Sequence, residues 1–210
     1  MSGWEGDNTQ RLIELVGGNI TEDFEELKQR SIDAHNYRFS KFLNHTDTVL
    51  DFGSGLGFGA DALASRVTQY VCADISKTML AELPNTVESV LIKRNDLFPL
   101  QKYNFSKIIA HAVFVHLEVP EIVYYLKEFK SILKPKGEIL FTYKNLDLLD
   151  VNDSLFTEHT ERLMRNREFQ TRSISYASPS VIKNVAEQIG YKYVEVDDNV
   201  FDLTARLINE

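Results

Sequence analysis

The 210-residue sequence has a single cysteine, Cys72. One thiol excludes an intramolecular disulfide and any thiolate cluster around a metal. Cys72 stands in the apolar stretch YVCADI, where it reads as a small buried residue. Positive charge is also scarce. Lys and Arg number 23 against 31 Asp and Glu, giving a net charge of −8, and basic residues cluster no further than pairs such as Lys93-Arg94. Nucleic-acid-binding faces concentrate positive charge, so this balance speaks against that partner. No apolar run approaches the ~18 residues of a membrane span. The opening MSGWEGDNTQ lacks the charged-then-apolar pattern of an export signal. The expectation is a cytoplasmic protein with neither a nucleic-acid nor a membrane partner, and no metal.

Apolar residues make up 43% of the chain and charged ones 26%, the ordinary balance of a globular protein large enough for a full core. From Thr48 onward short β-branched runs alternate with helical patterns, as in βαβ units around a parallel sheet. The predicted strands are TVLDF (48–52), YVCAD (70–74), SVLIK (89–93), FSKIIA (105–110) and EILFTY (138–143). Each is nearly continuous in apolar character, as expected of strands covered on both faces. A helix with Pro120 in its first turn carries Ile122, Tyr125, Leu126, Phe129, Ile132 and Leu133 at helical spacing, and Lys134-Pro135-Lys136-Gly137 is expected to end it. Residues 144–179 break the rhythm and read as an insertion, with a helix over NDSLFTEHTERLMRNREF. A helix from Ser178-Pro179-Ser180 to Gln188, stopped by Gly190, precedes strands YKYVEV (191–196) and VFDLTARL (200–207), whose short link implies an antiparallel hairpin. The first 46 residues read as helical, with a capped start at Thr21-Glu22-Asp23.

The segment VLDFGSGLGFG joins the first strand to a helix and places glycine at 53, 55, 57 and 59. Ligands of open α/β sheets bind at the carboxyl ends of strands, and bare backbone lets them approach closely. A dinucleotide site would read G-x-G-x-x-G and receive a pyrophosphate on helix amides. Counting from Gly53 and Gly55 puts Phe58 where the third glycine belongs, and Asp51 sets a carboxylate beside the phosphate position. That charge suits a ligand with an ammonium and a sulfonium better than a diphosphate. Gly59 already belongs to the helix and reads as a close-packing residue.

The same segment resembles the first motif of the class I S-adenosylmethionine-dependent methyltransferases. Further likeness follows in order: VCADIS with Asp74 17 residues after Gly57, NDLFPL with Asp96, FSKIIAHAVFVHLE with His116, LKPKGEILFTY with Lys136 where glycine is commoner, and the closing IGYKYVEV. The resemblance spans roughly residues 30–210. It implies a Rossmann-like, doubly wound α/β sheet of seven strands, mostly parallel with an antiparallel final strand, plus N-terminal helices and a helical insertion after the fifth strand. Residues 1–46 would form a helical cap of the same domain, and 47–210 the S-adenosylmethionine-binding part.

The resemblance further implies cofactor contacts from Gly53, Ser54, Gly55 and Gly57 in the loop. Asp51 would meet the methionine end and Asp74 the ribose hydroxyls, at what reads as an exposed strand end. Ile75, Asn95, Asp96 and Leu97 would surround the adenine, and Arg38 would meet the methionine carboxylate. His111, at the end of the fourth strand, is a candidate for the cofactor pocket and for general base; His116 is a second catalytic candidate. His159 and Glu158 in the insertion, and Tyr143 and Tyr176, are candidate substrate contacts. The function implied is methyl transfer to an oxygen or nitrogen of a small molecule, by a monomer or homodimer. A nicotinamide-dependent oxidoreductase, a non-catalytic cofactor-binding scaffold and a methyltransferase acting on protein or nucleic acid are the alternatives.

Overall fold

A computed structural model describes residues 23–148, 175–196 and 202–210. The chain divides into two units, residues 1–100 and 101–210.

In the first unit, Asp23 caps helix α1 (Phe24–Phe39), its carboxylate accepting from the amides of Glu25 at 2.8 Å and Glu26 at 3.3 Å. Those amides are orphan donors at any helix start, and the cap satisfies them. The helix buries His35 and Phe39, and Phe24 meets Phe58 with ring centroids 6.1 Å apart. Strands β1 (Thr48–Phe52), β2 (Gln69–Asp74) and β3 (Glu88–Leu91) pair in parallel, with Asp51 opposite Cys72 and Asp74 opposite Leu91. Helix α2 (Phe58–Leu63) follows β1, and a single turn α3 (Lys77–Leu80) follows β2.

After their first residues β1 and β2 are buried throughout, which explains their unbroken apolar character. β3 departs from the expected 89–93. It ends at Leu91, and Glu88, Ser89 and Leu91 are exposed. Among the described residues it pairs only with β2, and the chain then turns through Asn95 at φ 63°.

In the second unit, β4 (Phe105–Ala110) pairs in parallel with β5 (Leu133–Asn145). Between them lies α4 (Val119–Ile132), with Pro120 in its first turn and the Glu121 carboxylate accepting from the Glu118 amide. The Lys134–Gly137 stretch is already strand rather than a separate stop. Pro135 cannot donate to a ladder, and Lys136 takes φ 62° where glycine would be free of strain. Asn209 Nδ2 secures the irregular start by donating to the carbonyls of Leu133 and Lys134.

Tyr176–Ala177 forms a short strand, β6, parallel to the end of β5, so an eighth strand stands where seven were expected. The expected 149–174 helix lies outside the described residues, as do residues 1–22 and the 197–201 link. Helix α5 (Pro179–Ile189) begins at a Ser178 cap and ends at Gly190 in the left-handed region. β7 (Tyr191–Glu195) and β8 (Asp202–Asn209) pair antiparallel, and β8 also runs antiparallel to β5. Strands that are mostly parallel, with an antiparallel C-terminal set and interspersed helices, make the chain Rossmann-like α/β. No described helix is long and apolar enough to cross a membrane.

Candidate functional site

β1 ends in Asp51-Phe52, and the chain then leaves the sheet through the glycine loop. The amides of Gly53 and Ser54 both donate to the carbonyl of Ala73, at 2.7 and 3.2 Å, which ties the loop to the end of β2. Gly53, Gly55 and Gly57 hold φ of 73°, 54° and 82°. Only glycine takes such angles routinely without cost. At Gly57, which caps α2, a Cβ would also come within 2.1 Å of Leu83 Cδ2.

Asp74 closes this loop from β2. Its Oδ2 accepts from the Gly55 amide at 2.9 Å and its Oδ1 from the Ser76 amide at 2.8 Å. The residue is 8% exposed, which corrects the expected exposed strand end: the loop covers it. A carboxylate offers about four acceptor positions, so each oxygen keeps one for a ligand.

Asp51 is 2% exposed, and its Oδ2 accepts from the Tyr70 hydroxyl at 2.9 Å. Its Oδ1 accepts no hydrogen bond among the described residues. Burial pushes the carboxyl above its ordinary range. His35 and the Tyr70 hydrogen bond oppose that rise, and the Asp74 charge adds to it. Gly59 is bare for a reason legible only here. A Cβ at this position would stand 2.5 Å from Asp51 Oδ2, 2.8 Å from the Tyr70 hydroxyl and 3.0 Å from His35 Cδ2. His35 Nδ1 lies 2.7 Å from the Ser31 carbonyl. A carbonyl only accepts, so Nδ1 carries a proton. Burial, reinforced by the Asp51 charge, pushes the Cys72 thiol up, which leaves it protonated and inert.

Of the remaining first-unit candidates, Ile75 follows β2 and Asn95, Asp96 and Leu97 follow β3, whereas Arg38 lies on α1. Ile75 is 62% exposed, and Asp96 accepts from the Phe98 amide at 3.0 Å. Asn95 is exposed and Leu97 buried. Phe98, at 74% exposure, is an open apolar surface that the sequence reading passed over. Arg38 is half-buried in the last turn of α1.

In the second unit, His111 is half-buried on the turn that leaves β4. Ala112 beside it takes φ 55°, and its amide donates to Thr142 Oγ1 at 2.8 Å. A strained turn held by a buried strand hydroxyl is the kind of backbone found at sites that position a side chain. His116 is exposed at the end of a short 3-10 turn, Phe114–His116. Tyr143 and Tyr176 line one cleft with Phe114, Ile122 and Glu118, and the Ser175 hydroxyl reaches Glu118 Oε1 at 3.3 Å. Glu158 and His159 lie outside the described residues. Among the described residues no three His, Cys, Asp or Glu side chains are grouped to hold a metal ion.

Residues 49–137, from β1 to the irregular start of β5, match a family model described as a methyltransferase domain. That segment is similar to a methyltransferase domain. Among solved structures the magnesium protoporphyrin IX methyltransferase of Synechocystis PCC 6803, with bound SAH, is similar with a TM-score of 0.65 and 11% identity. The likeness covers 97% of this chain and 93% of that one. An S-adenosylmethionine-dependent methyltransferase from Clostridium acetobutylicum is similar with a TM-score of 0.60 and 13% identity, over 96% and 97% of the two chains. The putative methyltransferase of Haloferax volcanii, solved with the activator Trm112, gives 0.65 and 14%, over 98% and 97%. At such identities the likeness is one of fold. No curated protein sequence matches. The matched segment begins at the strand that delivers Asp51 and includes the glycine loop, Asp74 and His111.

Proposed function

We propose that this protein is a methyltransferase that uses S-adenosylmethionine as donor and methylates an oxygen or nitrogen of a small molecule. The observation that carries the donor is the glycine loop itself. Three bare backbone positions at positive φ lie between two buried carboxylates, Asp51 and Asp74. Such a cradle repels a diphosphate and attracts an ammonium and a sulfonium. The likeness to a methyltransferase crystallised with SAH and with SAM points the same way.

The residues present fit this donor. Asp51 would meet its ammonium and Asp74 its ribose hydroxyls. Gly53, Ser54, Gly55 and Gly57 would lie against its backbone-facing side, with Ile75, Asn95, Asp96 and Leu97 around the adenine and Arg38 on the carboxylate. When bound, the donor supplies a methyl carbon activated by its sulfonium. The protein then has to align the acceptor, exclude water and remove a proton. Alignment is worth on the order of 7–11 kcal/mol in favourable cases. We assign His111 to the proton, where a general base contributes ~10²–10⁴-fold. His116, being exposed, is the weaker assignment. Tyr143 and Tyr176 are assigned to the acceptor wall, since both line one cleft.

Titration calorimetry with S-adenosylmethionine and with NAD tests the reading. Binding of the first and not the second is expected; binding of NAD alone overturns it.

A further inference from the structure

Asp51 presents an imbalance. A carboxylate 2% exposed has one oxygen bonded to Tyr70 and the other bonded to nothing among the described residues. Buried anions ordinarily require paired charges and several donors. Among the described residues its hydrogen-bond donor is one neutral hydroxyl, at 2.9 Å, which leaves the second oxygen for something else.

We infer that Tyr70 is a positioning residue for the donor site: its hydroxyl holds Oδ2 of Asp51 as an anion and leaves Oδ1 to meet the ligand's ammonium. The inference rests on the donor reading proposed above. Three features support it. In the β1–β2 register Val49 faces Tyr70 and Asp51 faces Cys72. Side chains two apart share a sheet face, so Tyr70 reaches Asp51 along that face. Gly59 on α2 leaves the space the pair occupies, since a Cβ there would meet both oxygens at under 3 Å. Finally, His35 borders the same space from α1, with its Nδ1 proton directed to Ser31.

The charged and titratable groups facing Asp51 are His35 from α1, Tyr70 from β2 and Asp74 at the end of β2; the Cys72 thiol stands beside it in register. Tyr70 and His35 favour the ionised form, whereas burial and Asp74 oppose it. A carboxylate that binds a cation does so fully above its pKa and loses the ligand as pH falls through it. Removing the Tyr70 hydroxyl raises that pKa. The acid limb of binding therefore moves to higher pH.

The test is calorimetric affinity for S-adenosylmethionine between pH 5 and pH 9 for the wild type, Tyr70→Phe and Asp51→Asn, with folding checked by circular dichroism. Tyr70→Phe should displace the acid limb of binding to higher pH, each unit of displacement making binding about tenfold weaker at the acid end of the range. It should recover toward wild-type affinity as pH rises. Asp51→Asn should bind weakly at every pH. Gly59→Ala, which wedges the pair apart, should shift the limb in the same direction as Tyr70→Phe. A uniform loss at every pH in Tyr70→Phe, or an unchanged profile, overturns the inference. If the wild type itself fails to bind, the donor reading has failed instead.

Discussion

At the residue scale, three side-chain-bearing residues among those described occupy the left-handed region: Asn95, Ala112 and Lys136, at 63°, 55° and 62°. A non-glycine residue there costs roughly 1–3 kcal/mol and persists only where the surroundings enforce it. For Ala112 the enforcing contact is visible, its amide on Thr142 Oγ1. His111 therefore sits on a turn whose backbone is fixed from the neighbouring strand. If it serves as base, His111→Ala should lower kcat about 10²–10⁴-fold and leave donor affinity almost unchanged. Stopped-time product assays beside equilibrium binding would separate the two, and an equal loss of both would assign His111 to binding. Part of this site was legible beforehand. Glycine spacing placed the loop, and a strand ending in aspartate placed Asp51 and Asp74. Tyr70, His35 and Thr142 were not legible, because each acts across a contact with another element. A hydroxyl in a strand looks the same whether or not it meets a carboxylate.

At the element scale, β4, β5 and β8 are cross-linked by charge. Glu138 on β5 takes Lys107 from β4 at 2.8 Å and Arg206 from β8 at 2.6 and 2.9 Å. Burial alone would raise the Glu138 carboxyl, but hydrogen bonds from Arg206 and Lys107, with their charges, hold it below the ordinary range. A group whose folded pKa is depressed stabilises the protein above its unfolded pKa, about 4.3, and that stabilisation fades as pH falls through the folded value. Glu138→Gln should cost about 2 kcal/mol at pH 7, because two cations lose their anion. Urea unfolding at pH 7 and again near pH 3 should show the difference between variant and wild type shrinking in acid. A difference undiminished in acid would assign the loss to shape rather than charge. Most elements were legible from pattern and caps: β1 and β4 have the expected bounds, and Asp23, Pro120, Ser178 and Gly190 mark helix ends as expected. β3 and the start of β5 were not. Apolar content reports burial and pairing only indirectly, and β3 carries Val90 and Leu91 into a setting where most of its strand residues are exposed.

At the scale of the whole molecule, a donor that binds only the folded chain must stabilise it. At a hundredfold excess over Kd the gain is about 2.7 kcal/mol, which for a chain of this length raises Tm by roughly 5–11 °C. Thermal melts with S-adenosylmethionine should show that rise; melts with NAD should not. An identical response to both would remove the charge argument for the loop.

By itself the sequence determined the Rossmann-like order of strands and helices, the glycine loop and its two carboxylates, because caps, periodicity and glycine conformations are local properties of a chain. Only the tertiary structure decided what those carboxylates touch. Gly55 meets Asp74 and Tyr70 meets Asp51, each across 19 residues of chain, and Gly59 is bare because of the second pair. Contacts of that span follow from strand register and helix packing, which no local pattern specifies.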